Sequence, residues 1–181
     1  MQRRAALIAV LAVAGAAAWY AFRPERLFID RTVNESLAAE VPATRAGAPE
    51  LPAVIAAGSF HGVHHETKGT ATVYRLPDGK RVLRFTAFET SNGPDVQIYL
   101  VAAADAQDNA TVTTAGFVNL GPMKGNRGDQ NYDVPDGVDL AKYRAVTVWC
   151  RRFGVNFATA PLADASQMMP AAAASAPRSS N

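Results

Sequence analysis

Residues 54–163 form a series of short runs in which apolar and polar residues alternate, each closed by turn formers. Thr70-Ala71-Thr72-Val73-Tyr74 and Lys80-Arg81-Val82-Leu83-Arg84-Phe85 flank Pro77-Asp78-Gly79, a hairpin signal. Asp95-Val96-Gln97-Ile98-Tyr99-Leu100-Val101 follows the turn Asn92-Gly93-Pro94, and shorter runs occupy 116–120 and 131–134. Val146-Thr147-Val148-Trp149-Cys150 and Phe153-Gly154-Val155-Asn156-Phe157 close the series. Period-2 alternation is the mark of strands, because successive side chains point to opposite faces. No useful length of helical periodicity interrupts these runs. The pattern predicts an all-β domain, an antiparallel β-sandwich or partly open barrel. About 110 residues suffice for a self-contained core.

The flanks differ in character. Residues 1–22 read as a targeting segment: Arg3 and Arg4 precede an uncharged run of about 18 residues, the short end of a membrane-spanning length. Trp19 and Tyr20 lie near its far end, where amphipathic rings favour an interface. An uncleaved signal anchor is favoured over a cleaved signal peptide with processing near Ala14, Ala16 and Ala18. Arg3 and Arg4 place the N-terminus inside, against the opposing pull of Arg23, Arg26 and Arg31. The expectation is a transmembrane helix that holds the domain on the extracytoplasmic side, periplasmic or at the cell surface.

Residues 23–53 read as a short membrane-proximal helix and then a linker. Ile29, Val33, Leu37 and Val41 recur at four-residue spacing over 25–41, and Pro42, Gly47, Pro49 and Pro52 punctuate residues 42–53. Residues 164–181 are rich in Ala, Ser and Pro, and are expected to be a disordered tail.

The formal net charge of +2 is too mild for a nucleic-acid partner, and no basic stripe interleaved with aromatics occurs. A single cysteine excludes an internal disulfide and any thiolate-rich zinc site. No nucleophile-elbow, phosphate-loop or His-Glu-x-x-His motif is present, so the reading leans away from an enzyme.

Chemistry is left to a few residues. Alternation puts Cys150 on one face with Val146 and Val148, and Thr147, Trp149 and Arg151 on the other. A thiol on an aliphatic face packs as a small hydrophobe. Arg151 and Arg152 follow it, however, and a nearby cation stabilises a thiolate. An intermolecular disulfide is a third reading. His61, His64 and His65 cluster, and neutral imidazoles at such spacing can ligate a metal, with His64 and His65 the candidates. The other reading is a polar turn. A blue-copper arrangement fits poorly, since Arg151-Arg152-Phe153 stands where a His or Met would follow the Cys. The run Gly121-Pro122-Met123-Lys124-Gly125-Asn126-Arg127-Gly128-Asp129-Gln130-Asn131-Tyr132 reads as turn scaffolding or as a polar binding loop.

Taken in order, Gly58-Ser59-Phe60, His65-Glu66-Thr67-Lys68-Gly69-Thr70-Ala71, Leu83-Arg84-Phe85, Asn92-Gly93-Pro94-Asp95-Val96-Gln97-Ile98-Tyr99-Leu100, Leu120-Gly121-Pro122-Met123-Lys124-Gly125, Asp129-Gln130-Asn131-Tyr132-Asp133-Val134-Pro135 and the Trp149-Cys150 strand resemble the electron-transfer DM-thirteen domain, a module found beside DOMON domains. Leu27-Phe28-Ile29-Asp30 with Val33-Asn34-Glu35 looks like the lead-in of membrane-anchored bacterial members. The resemblance implies a β-rich fold and a redox role centred on the cysteine, here Cys150, with His65 in the place of the family histidine. Pro122 departs from the Leu common at that position. No cofactor is named. The partner implied is a redox or cell-surface protein; the alternative is a non-catalytic binding or assembly module in which Cys150 is core packing.

Overall fold

The computed structural model describes residues 2–22, 29–37 and 51–168. Eleven strands form among them: β1 (Thr32–Asn34), β2 (Ala53–Ser59), β3 (His61–Gly62), β4 (Lys68–Arg75), β5 (Arg81–Glu89), β6 (Val96–Val101), β7 (Phe117–Pro122), β8 (Arg127–Val134), β9 (Ala145–Cys150), β10 (Val155–Pro161) and β11 (Ala163–Asp164). Helices are α1 (Gln2–Phe22), α2 (Asn109–Thr114) and α3 (Ala165–Met168). One sheet has the order β1-β8-β5-β4-β2-β11, the other β3-β10-β9-β6-β7. There are two sheets and no closed barrel, which selects the sandwich from the two architectures expected. Every pairing is antiparallel except β1 with β8, which is parallel.

The expected hairpin forms between β4 and β5, closed by bonds between Leu76 and Lys80 and from the Gly79 N–H to the Leu76 carbonyl. Between the sheets lies the main core, with Val73, Leu83, Phe85, Ile98, Leu100, Val146 and Val148 all fully buried. Phe85 and Phe88 both face it despite their odd spacing. A bulge between them, with Ala87 at φ +50°, inserts the extra residue that restores the face.

The central strands of the five-stranded sheet are buried on both faces. Trp149 indeed points away from Cys150, but into a second small core with Tyr99, Val101, Ala106, Val112 and Ala145. Helix α2 supplies Val112 to that core. It is short, capped by the Asp108 side chain, and interrupts a region whose sequence predicts no helix.

Three expectations on the flanks need correction or relocation. Over 25–41, residues 32–34 are strand β1 rather than helix, a single 3₁₀ position falls at Leu37, and 25–28 and 38–41 lie outside the described residues. Backbone pairing with β8 and the bonds made by Glu35 outweigh a weak local propensity for helix. α1 forms as a helix, yet among the described residues no helix is long and apolar enough to cross a membrane. The stretch Ala14-Gly15-Ala16-Ala17-Ala18 within it consists of small residues, each with little apolar area. Finally, β11 and α3 lie at the start of the segment expected to be tail, where β11 pairs with β2. Most of the linker, and residues 169–181, fall outside the described residues.

Candidate functional site

Three stretches distant in sequence meet at the end of the sandwich where β9 terminates. They are the turn before β6 (92–95), the loop between β7 and β8 (123–126), and the segment 29–35 that carries β1. Together they line a cleft of about 700 Å³.

Two buried amides build it. Asn126 is 2% exposed. Its side-chain oxygen accepts the Arg31 N–H at 2.7 Å, and its NH2 donates to Asp30 at 2.8 Å and to the Thr90 carbonyl at 3.2 Å. This pins the 29–31 segment along the cleft. Gln130 is fully buried. Its oxygen accepts from the N–H groups of Lys124 and Gly125 and from the Tyr132 hydroxyl, while its NH2 donates to the Gly125 carbonyl. The amide-rich loop is therefore scaffolding in its chemistry, and its surface is cleft wall. Burial raises the pKa of the Tyr132 hydroxyl, which stays a neutral donor.

Glu35 closes the side. Its carboxylate accepts two bonds from Lys124 Nζ, at 2.8 and 2.9 Å, and one from the Asn131 N–H at 2.7 Å. Burial by itself would raise its pKa, but the Lys124 ammonium, the Asn131 N–H and the nearby Arg84 together hold it below the ordinary carboxylate value. A depressed folded pKa contributes stability above the unfolded value and loses it as pH falls through the folded one. Replacing Glu35 with Gln should thus flatten the acid limb of stability below about pH 4.5, by about 1 kcal/mol or less because the pair is partly solvated. Urea melts from pH 7 to pH 3 measure this; parallel curves for both proteins would refute it.

Asp95 connects the cleft to the turn after Cys150. Its carboxylate accepts from Arg151 Nε at 2.8 Å and from the Gln97 amide at 2.7 Å, and its carbonyl accepts the Arg151 N–H. The Arg151 charge is therefore committed to Asp95. Gly93 presses against the core: a Cβ there would sit 2.7 Å from Val96 Cγ2 and 3.1 Å from the Phe157 ring.

Cys150 lies behind this wall. It is fully buried, and its strand neighbours in register are Val96 on β6 and Val155 on β10. It belongs to the main core with Val148 and Phe157. No hydrogen bond joins its sulfur to a histidine among the described residues.

The three histidines go separate ways. His61 pairs with Asp105 at 3.0 Å. His64 is exposed. His65 packs its ring on Phe157, with centroids 3.9 Å apart. Burial, and then the neighbouring His64, push the His65 pKa down, which favours the neutral ring. Their turn is held by one atom: the Phe157 carbonyl, freed by a bulge in β10, accepts the N–H groups of Val63, His64 and His65. Among the described residues no three His, Cys, Asp or Glu side chains gather as a metal site would require.

Sequence reasoning names the turn 92–95 and the loop 121–132 but does not join them. It misses Glu35, Asn126 and Gln130 as organising side chains. Glu35 is not readable locally, because its partner Lys124 is 89 residues away.

Two sheets packed face to face, with a cleft built from their end loops, define a β-sandwich module. The chain belongs to the Electron transfer DM13 family, whose model matches residues 59–162. That membership suggests an electron-transfer-related domain. No curated protein matches the chain, and no solved structure does.

Proposed function

We propose that this domain serves electron transfer by binding a redox protein partner or its ligand in the 700 Å³ cleft, with Cys150 packing beneath the cleft wall. The observation that carries this reading is the pairing of Val96 with Cys150. Val96 lines the cleft, so the thiol lies one strand away from it, yet the sulfur is shielded from solvent. A buried thiol among aliphatic side chains is inert toward soluble reagents.

The full-length chain tests this directly. On this reading its thiol reacts with Ellman's reagent only after unfolding. Cys150→Val keeps the fold at a cost of about 1 kcal/mol. Rapid reaction of the native thiol, with the melting temperature unchanged, would overturn it. That result would favour the second reading, in which Cys150 is the redox atom and His65 its neighbouring proton partner or metal ligand. The observation behind that reading is that Cys150 ends β9 at the mouth of the sandwich.

Placement at a membrane is part of the proposal. α1 presents Leu7, Ile8, Val10, Leu11 and Val13 outward, each more than half exposed. Apolar surface of that extent is unfavourable in water and finds cover in a lipid or protein phase. The chain from Phe22 to Ile29 reaches at most roughly 25 Å. On this reading the Cys150 end, where Ile29 lines the cleft, faces the membrane, and the domain stands on the extracytoplasmic side. Protease added to spheroplasts, whose outer barrier is removed and whose inner membrane is intact, should digest the domain; full protection there would overturn the placement.

A further inference from the structure

At the other end of the sandwich, where β9 begins, a second cleft of about 410 Å³ opens. The register between β4 and β5 sets Ala71 opposite Phe85, Val73 opposite Leu83 and Arg75 opposite Arg81. The first two pairs are fully buried in the core. Period-2 alternation therefore turns both arginines toward the core side of the sheet, at its open mouth. Like charges directly opposite one another are destabilising. Arg144, just before β9, adds a third guanidinium to the same cleft.

These cations outnumber the two carboxylates of the cleft and form no salt bridge with them. Arg81 donates to the carbonyls of Pro135, Asp136 and Val138. The Arg75 and Arg144 side chains have no hydrogen-bond or ion-pair partner among the described residues. Two carboxylates line the cleft, but each is turned to its own backbone. Asp139 accepts the Ala141 N–H at 2.9 Å, and Asp164 accepts from the Ser166 N–H and hydroxyl. The floor is apolar, formed by Ile55, Leu140 and Leu162. Its volume suits a small organic ligand.

We propose that this mouth binds a phosphate monoester with a short apolar body. The phosphate bridges Arg75 and Arg144, and the body lies on Ile55, Leu140 and Leu162. A phosphate is favoured because two separate guanidinium forks call for an anion with more than two acceptor oxygens and more than one charge. The site is independent of the Cys150 end.

Titration of the full chain with octyl phosphate, followed by amide NMR shifts, tests the idea. Saturable shifts are expected at Arg75, Leu140, Arg144 and Leu162, with inorganic phosphate binding more weakly at the same residues. The double variant Arg75→Gln/Arg144→Gln should weaken octyl phosphate about tenfold or more. Both side chains are exposed, so its melting temperature should hold. Vesicles containing phosphatidic acid separate the two sources of such a group. Binding that the double variant abolishes identifies a lipid headgroup, and binding of the free ester alone identifies a soluble ligand. Absence of saturable shifts, shifts confined to residues 92–97, or equal affinity in the double variant would overturn the proposal. If the variant melts early, the wild-type shift map decides alone.

Discussion

Phe85→Ala should destabilise the domain by about 4 kcal/mol, the cost of a large cavity left in a core that cannot fully collapse. Phe85 is fully buried. Its ring meets Phe60 edge-on at 4.8 Å, Phe88 at 4.9 Å and Tyr132 at 5.2 Å. Removing it deprives three rings of a partner at once, in addition to the lost apolar burial. For a domain of this size that is a fall of roughly 15–25 °C in melting temperature. Calorimetry of the two proteins measures it. Phe85→Leu, which keeps most of the volume, should recover more than half of the loss. A fall of only a few degrees in Phe85→Ala would mean that the sheets do not pack through this cluster.

Gly58→Ala should cost about 3 kcal/mol or more, a large effect for a single methyl group. Gly58 lies on β2 of the six-stranded sheet, and Pro161 on β10 of the other. A Cβ at Gly58 would stand 1.9 Å from the Pro161 carbonyl oxygen. The obstacle is backbone, which no rotamer change relieves, so one sheet must shift against the other. Gly137→Ala is the control. Gly137 is exposed and nothing lies within 4 Å of its Cβ position, so the change should be neutral or slightly stabilising. Equal melting temperatures for Gly58→Ala and Gly137→Ala would refute the close approach of the sheets at this point.

Both predictions rest on residues within the stretches that carry the family resemblance, and the structure gives those stretches physical meaning. Gly58 is where the sheets touch. Ala71 is small because it is fully buried opposite Phe85. Asp95 ties the 92–95 turn to Arg151, and Gly93 lets that turn lie against Phe157. These are requirements of packing and loop shape. They hold whether or not Cys150 exchanges electrons.

The strands from β4 to β10 are largely legible in the sequence, and so is the hairpin at Pro77-Asp78-Gly79, because alternation and turn chemistry act over a few residues. The face of Cys150 is legible for the same reason: Val146 and Val148 share it. β2, with Ile55, Ala56 and Ala57 in a row, carries no clean alternation and begins within a stretch that reads as linker. β3 and β11 have two residues each and hold their place only through β10 and β2. β1 misleads, since Ile29, Val33 and Leu37 mimic a helical stripe.

The sequence by itself determined an all-β domain, the strand faces and the family, because each depends on local periodicity or on motifs read in order. The tertiary structure alone decided which strands pair, that 29–35 lies along β8, and that the 92–95 and 123–126 loops close one cleft. It alone set Arg75, Arg81 and Arg144 around another. The physical reason is separation along the chain. Glu35 and Lys124 are 89 residues apart and Arg151 and Asp95 are 56 apart, so neither pairing leaves a mark in the residues around it.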